Sequence, residues 1–155
     1  MAEPVSIVAS AVTVTGAAIT VADAVITFVS QLRNAPKEIA FLQADVIDTR
    51  LILSNIKDNT AEDRSLGSRL ALPDSAGTYG SPENISKLDY SVKRIERVLV
   101  DIDSALRHVT KSQGLSRTTV HQGQWIIHRT KLKSLRQELQ ELKTNVAVHF
   151  SANSR

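Results

Sequence analysis

Residues 81–109 read SPENISKLDYSVKRIERVLVDIDSALRHV, and this stretch decides the fold. Its large apolar side chains follow one another at spacings of three and four residues without a miss. They are Ile85, Leu88, Val92, Ile95, Leu99, Ile102, Leu106 and Val109. Such spacing is typical of a helix with one buried face. Because Ser81 suits an N-cap and Pro82 a first helical turn, we predict a helix over about residues 82–110.

The same seven-residue pattern predicts two further amphipathic helices. One covers about residues 36–57, with the buried seam Ile39, Leu42, Val46, Leu53 and Ile56 and with Thr49 at its one polar position. The other covers about residues 117–150, with the seam Trp125, Leu132, Leu135, Leu139, Leu142 and Val146 and with His128 between its first two members. The run 115–122 is also compatible with a separate helical turn. Each seam requires other helices to pack against it.

The first 32 residues predict a helix of a different kind, over about residues 4–32. Nineteen residues from Pro4 to Ala22 carry no charge, and Asp23 is the first charge after Glu3. Two neighbouring stripes of the helix are apolar or small, and what remains is a thin polar stripe of Ser6, Ser10, Thr13, Thr20 and Thr27. A helix that is apolar on most of its circumference is central in a bundle, packs against a partner, or enters a membrane. Its content of Ala, Ser, Thr and Val makes insertion marginal.

We therefore predict an all-α fold, a four-helix bundle with roughly antiparallel neighbours, in one domain over residues 1–150 with a tail at 151–155. A long mobile loop is expected at 58–80, because Gly67, Pro73, Gly77 and Gly80 punctuate a stretch of polar residues there.

Composition narrows the possible functions. The chain has no cysteine, which excludes a disulfide, a thiolate metal site and a cysteine nucleophile. We find no phosphate-binding loop, no nucleophile in a strained turn and no histidine spacing that fits a metal, so we predict no enzyme, no cofactor and no metal. His128 is interpreted as a satisfied, half-buried histidine beside Trp125, with pH sensing as the alternative.

The net charge of +3 is unevenly distributed. Residues 111–155 carry eight basic side chains against two acidic ones, whereas the rest of the chain is net acidic. A basic region of this kind faces solvent, anionic lipid or nucleic acid. Nucleic acid is not predicted, because aromatic side chains are not interleaved with the basic ones.

Three segments together resemble the HeLo-like N-terminal domain of fungal STAND (NLR-type) proteins. They are the start MAEPVS leading into the uncharged helix, the segment APKEI at 35–39, and Trp125 followed by the basic, leucine-rich stretch 131–143. The resemblance covers most of the chain outside residues 58–80. It implies an all-helical effector domain of regulated cell death, similar to HeLo domains and to the four-helix bundle of mixed-lineage-kinase-like proteins.

The resemblance implies a cytoplasmic domain of innate immunity that precedes nucleotide-binding or sensor domains, oligomerises, relocates to the membrane and permeabilises it. The residues then expected to insert or to oligomerise are Val5, Ile7, Val8, Ala11, Val12, Val14, Gly16, Ala18, Ile19 and Val21. The residues expected to contact anionic lipid are Arg129, Lys131, Lys133 and Arg136. The alternative is a soluble homotypic adaptor, in which the same apolar surface drives assembly without lipid.

Overall fold

The computed structural model describes the backbone of residues 4–69, 82–112 and 118–153, and the side chains of residues 13–59, 86–110 and 118–151. The elements are α1 (Pro4–Ser30), β1 (Leu32–Arg33), α2 (Lys37–Arg69), α3 (Pro82–Val109), β2 (Thr110–Ser112), β3 (Thr118–Val120) and α4 (Gln122–Asn153). The four helices form a bundle, which confirms the predicted all-α fold class.

The predicted seams form the core of the bundle. All five apolar seam residues of α2 are buried, and Thr49 is buried beside them with its hydroxyl donating to the Asp45 carbonyl at 2.7 Å. The α3 seam is buried from Val92 to Val109, with Leu88 half-buried and Ile85 outside the described side chains. In α4 the seam is buried from Leu132 onward. The heptad pattern therefore located the core correctly.

In cross-section, the four helices lie at the four corners of the bundle. α1 packs against α2 and α3, α4 packs against α3, and α2 meets α4 through a much smaller interface. α1 and α4 therefore lie across the bundle from each other.

A small three-stranded sheet closes one end of the bundle. β3 is its central strand and pairs in parallel with β1 and antiparallel with β2. The sheet joins the connection between α1 and α2 to the connection between α3 and α4, and Asn34 turns the chain there with a φ of 56°. We refer to this as the sheet end.

The sheet corrects two predictions. Residues 118–120 form a strand and not a helical turn. Because α1 and α3 both finish at the sheet end, they run parallel, and so do α2 and α4, which begin there. Among the four neighbouring pairs, α1–α2 and α3–α4 are antiparallel, whereas α1–α3 and α2–α4 are parallel.

The third correction concerns the predicted loop at 58–80. α2 continues to Arg69, twelve residues beyond the expected end. The absence of an apolar seam does not end a helix, and Ala61, Glu62, Arg64 and Leu66 all favour helical backbone. Residues 70–80, the remainder of the predicted loop, lie outside the described part of the chain.

Candidate functional site

α1 holds the chain's candidate membrane segment. Residues Thr13–Ser30 are long and apolar enough to cross a bilayer, by length and composition, and 28% of them are buried. α1 is therefore not a central helix enclosed on all sides. It occupies a corner of the bundle, where most of its uncharged surface is half-buried or exposed.

The fully buried positions of α1 carry small side chains, while Ile19, Ile26 and Phe28 pack against the core from partly buried positions. Ala18, Ala22, Val25 and Val29 are buried in the core, and Thr15 is buried with them. The opposite side exposes Thr13, Thr20 and Thr27, three members of the predicted polar stripe.

Hydroxyl groups on α1 hydrogen-bond within the helix itself. Thr20 Oγ1 donates to the Gly16 carbonyl at 3.0 Å, and Ser30 Oγ donates to the Ile26 carbonyl at 2.7 Å. A hydroxyl that bonds to the preceding helical turn needs no water, so these side chains are compatible with an apolar environment.

Polar contacts hold α1 to α2. The Asp23 carboxylate forms an ion pair with Arg50, with both side chains partly exposed. The Gln43 side-chain amide donates to the Ile26 carbonyl at 3.2 Å and to Ser30 Oγ at 3.0 Å. Asp23, which looks out of place in an apolar helix, is thus explained by its partner on α2.

A cation–π contact joins α1 to α3. The Arg107 guanidinium lies 5.1 Å from the centre of the Phe28 ring, and Arg107 Nε also donates to Asp103 at 2.9 Å. This contact supports α1 near the sheet end.

The structure places the residues expected to insert on one helix, but in different environments. Val14, Gly16, Ile19 and Val21 are half-buried, and Ala18 is buried. The remaining five belong to the helical backbone of α1, and their side chains lie outside the described ones: Val5, Ile7, Val8, Ala11 and Val12.

The four basic residues assigned to lipid contact separate into two groups. Arg129, Lys131 and Lys133 are exposed, and none forms an ion pair with a residue whose side chain is described. Arg136 is directed toward α2, where its Nε donates to Asp45 and its guanidinium lies 5.4 Å from the centre of the Phe41 ring. Arg136 is therefore occupied in the α2–α4 interface.

Asp45 is the centre of that interface. Its side chain is only 11% exposed, and besides Arg136 it receives a hydrogen bond from Gln140 Nε2 at 3.3 Å. The Lys143 ammonium lies 3.9 Å from the same carboxylate and 3.6 Å from Asp48. A buried carboxylate with three partners thus stabilises the smallest of the four main helix–helix interfaces.

A second cross-helix ion pair joins α3 to α4. Arg94 Nε and Nη2 donate to one Glu138 oxygen at 2.9 and 2.7 Å. These hydrogen bonds raise the pKa of Arg94 above its ordinary value. Glu138 is thereby directed toward α3 and away from the exposed basic side chains of α4.

Two exposed isoleucines were missed by the sequence analysis. Ile126 is 63% exposed and Ile127 is 68% exposed, in the first turns of α4. Neither falls on the heptad seam, and this is the sequence feature that would have identified them as surface residues.

Three of the four histidines, His108, His121 and His128, lie near the sheet end. His121 Nδ1 accepts from the Gln124 backbone N–H at 3.3 Å and so caps the start of α4. His128 is half-buried as predicted, and its ring lies 6.0 Å from that of His108. The described residues contain no group of three or more side chains that could hold a metal ion.

Comparison with known proteins adds no relative to this picture. No protein-family model matches the chain, and neither the curated proteins nor the solved structures contain a match.

Proposed function

We propose that this chain is a membrane-active effector domain of the HeLo-like kind, in which α1 leaves the bundle, self-associates and permeabilises a membrane. The observation that carries the proposal is the position of α1: a segment apolar enough to cross a bilayer occupies a corner of the bundle with 28% of its residues buried.

The composition of the core supports the release of α1. Among the largest fully buried side chains, α1 supplies only Val25 from its described residues. The others are leucines, isoleucines and valines of α2, α3 and α4. Because the free energy of burial scales with apolar area, the alanines and valines at the fully buried positions of α1 hold it less strongly than leucines or isoleucines would. Val14, Ile19, Val21, Ile26 and Phe28 add partly buried area against the core.

The polar contacts of α1 support the same proposal. The Asp23–Arg50 pair has both side chains partly exposed, and such pairs contribute about 0.2–1 kcal/mol. The contacts specific to α1 and α2 therefore position the helix without making its departure prohibitive.

The charge of Asp23 limits the environments in which α1 can be inserted in a membrane. A lone carboxylate at the centre of a bilayer is expensive, so it needs a water-filled lumen or a partner in an assembly. Self-association of released α1 helices supplies both, which is why the proposal includes oligomerisation.

The biological setting follows from the resemblance described above. It assigns the domain to programmed cell death and innate immunity, in the cytoplasm ahead of nucleotide-binding or sensor domains, with relocation to anionic membranes on activation.

Dye release from vesicles tests the proposal. Purified protein is added to vesicles with and without anionic lipid. The chain is tested by itself and as a fusion to a dimerising domain, which forces copies of the chain together. We expect release that rises cooperatively with protein concentration and requires anionic lipid. Clustered, folded protein that assembles but releases no dye would contradict the proposal and favour the homotypic adaptor.

A further inference from the structure

The outer face of α4 near the sheet end combines exposed aliphatic and basic side chains. Ile126 and Ile127 are adjacent and are among the most exposed large apolar side chains of the described residues. Single exposed aliphatic residues are ordinary, but an exposed aliphatic pair inside a basic cluster is typical of a binding surface.

Helical spacing places a basic residue beside each isoleucine. Arg129 follows Ile126 by three residues and Lys131 follows Ile127 by four, so each pair shares a face of the helix. Lys133 lies two turns beyond Ile126 on the same side.

Within α4, no acidic residue lies among the residues of this face. The sequence 122–137 contains no aspartate or glutamate, and the next acidic residue, Glu138, is bound by Arg94. At the same end of the bundle, Arg33 of β1 and Lys37 at the start of the neighbouring α2 are exposed, and so is the acidic Glu38.

We propose that the outer face of α4, formed by Ile126, Ile127, Arg129, Lys131 and Lys133, is the docking surface through which the domain first binds an anionic membrane. The lysines and the arginine match lipid phosphates, and the isoleucines enter the boundary between headgroups and acyl chains. Nucleic acid would leave the isoleucines without an apolar environment, so lipid fits both parts of the surface better.

Docking through this surface and permeabilisation by α1 are separate steps, and only permeabilisation rests on the proposed function. α1 lies across the bundle from α4, so a domain docked through α4 holds α1 away from the bilayer. Docking therefore precedes the release of α1, and the two steps are expected to depend on different residues.

Vesicle flotation of the full chain tests the docking surface, using phosphatidylserine-containing vesicles and pure phosphatidylcholine vesicles. The double variant Ile126→Ser/Ile127→Ser is compared with Val148→Ser, a matched control of 62% exposure at the far end of the same helix. We expect the double variant to bind anionic vesicles roughly tenfold more weakly, because serine at both positions removes the apolar side chains that the membrane would bury. The control is expected to bind as the parent chain does.

The charge of the surface is tested separately. Lys131→Glu/Lys133→Glu changes the net charge by the same amount as the control Lys57→Glu/Lys87→Glu, in which both exposed lysines lie on other helices. We expect the α4 variant to lose at least about tenfold in affinity, since each basic residue near an anionic surface contributes about 1 kcal/mol. The control is expected to lose much less.

Equal binding by the parent chain and both α4 variants would overturn the proposal. So would an isoleucine variant that binds vesicles normally but changes a dimer to a monomer in light scattering, or duplex DNA binding that needs the lysines and not the isoleucines. Because flotation requires no leakage, docking that occurs without dye release would contradict the proposed function and leave the docking surface intact.

Discussion

At the scale of single residues, Asp23 has the largest predicted effect on activity. It contributes to retention of α1 through Arg50, and its charge raises the free energy of any inserted state. Both effects oppose permeabilisation, so neutralising Asp23 removes them together.

We therefore expect Asp23→Asn to increase the rate of dye release about two- to fivefold at equal protein concentration, the range that corresponds to loss of one exposed ion pair. Asp101→Asn on α3 is the matched control, because it removes the same charge from an exposed site away from α1. A rate for Asp23→Asn that is equal to or below that of the control would show that this contact does not restrain α1.

Asp45 is a second residue whose role the sequence could not reveal. Its main partner, Arg136, lies 91 residues away, and only the packing of α2 against α4 brings them together. The same pairing removes Arg136 from the set of residues available for lipid.

We expect Asp45→Asn to lower the free energy of unfolding by about 1–3 kcal/mol, because the guanidinium of Arg136 loses its counter-charge in a largely buried site. Urea denaturation measures the change. Asp48→Asn is the control, since its side chain is 59% exposed, and we expect a change within about 0.5 kcal/mol. Equal effects from the two variants would contradict the assignment of Asp45 as the centre of the interface.

At the scale of the elements, the sequence predicted the helices wherever a heptad seam exists. The seams of α2, α3 and α4 are buried as expected, because apolar side chains that recur on one face of a helix over many turns pack against neighbouring helices. The pattern could not predict the polar extension of α2 or the strands of two and three residues at the sheet end, because neither shows an apolar period.

The candidate site was predictable to a similar extent. The uncharged length of α1 identified the candidate membrane segment, and the net charge of the C-terminal third identified a basic region. The sequence could not separate Arg136, which pairs with α2, from Lys131 and Lys133, which face outward, because that distinction depends on the neighbouring helix.

A substitution at Gly16 tests the surroundings of this position in α1. A Cβ atom at Gly16 would have nothing within 4 Å, so Gly16→Ala should gain helix propensity without a clash. We expect the free energy of unfolding to rise by about 0.5–1 kcal/mol.

Thermal unfolding followed by circular dichroism measures this change. Gly123→Ala is the control, because its Cβ would come within 3.2 Å of the His121 ring that caps α4, and no gain is expected there. A loss of stability in Gly16→Ala would contradict the described surroundings of α1.

At the scale of the whole molecule, the account depends on the four-corner arrangement. In the described part of the chain, the main interfaces of α1 are those with α2 and α3, and the helix proposed to dock on the membrane is the one opposite. If α1 leaves, α3 and α4 keep their own interface, including the Arg94–Glu138 pair. The two proposals thus divide the bundle into a retained part that docks and a part that moves.

The most direct test of this division is a reversible lock on α1. The chain has no cysteine, so Ser30→Cys/Gln43→Cys can be joined specifically by a short cleavable thiol crosslinker that ties α1 to α2. Arg94→Cys/Glu138→Cys, joined in the same way, ties α3 to α4 and leaves α1 free. We expect the α1–α2 lock to abolish dye release while vesicle binding persists, and cleavage of the crosslinker to restore release. Dye release from the locked α1–α2 protein at the rate of the α3–α4 control would contradict the central claim that α1 must leave the bundle.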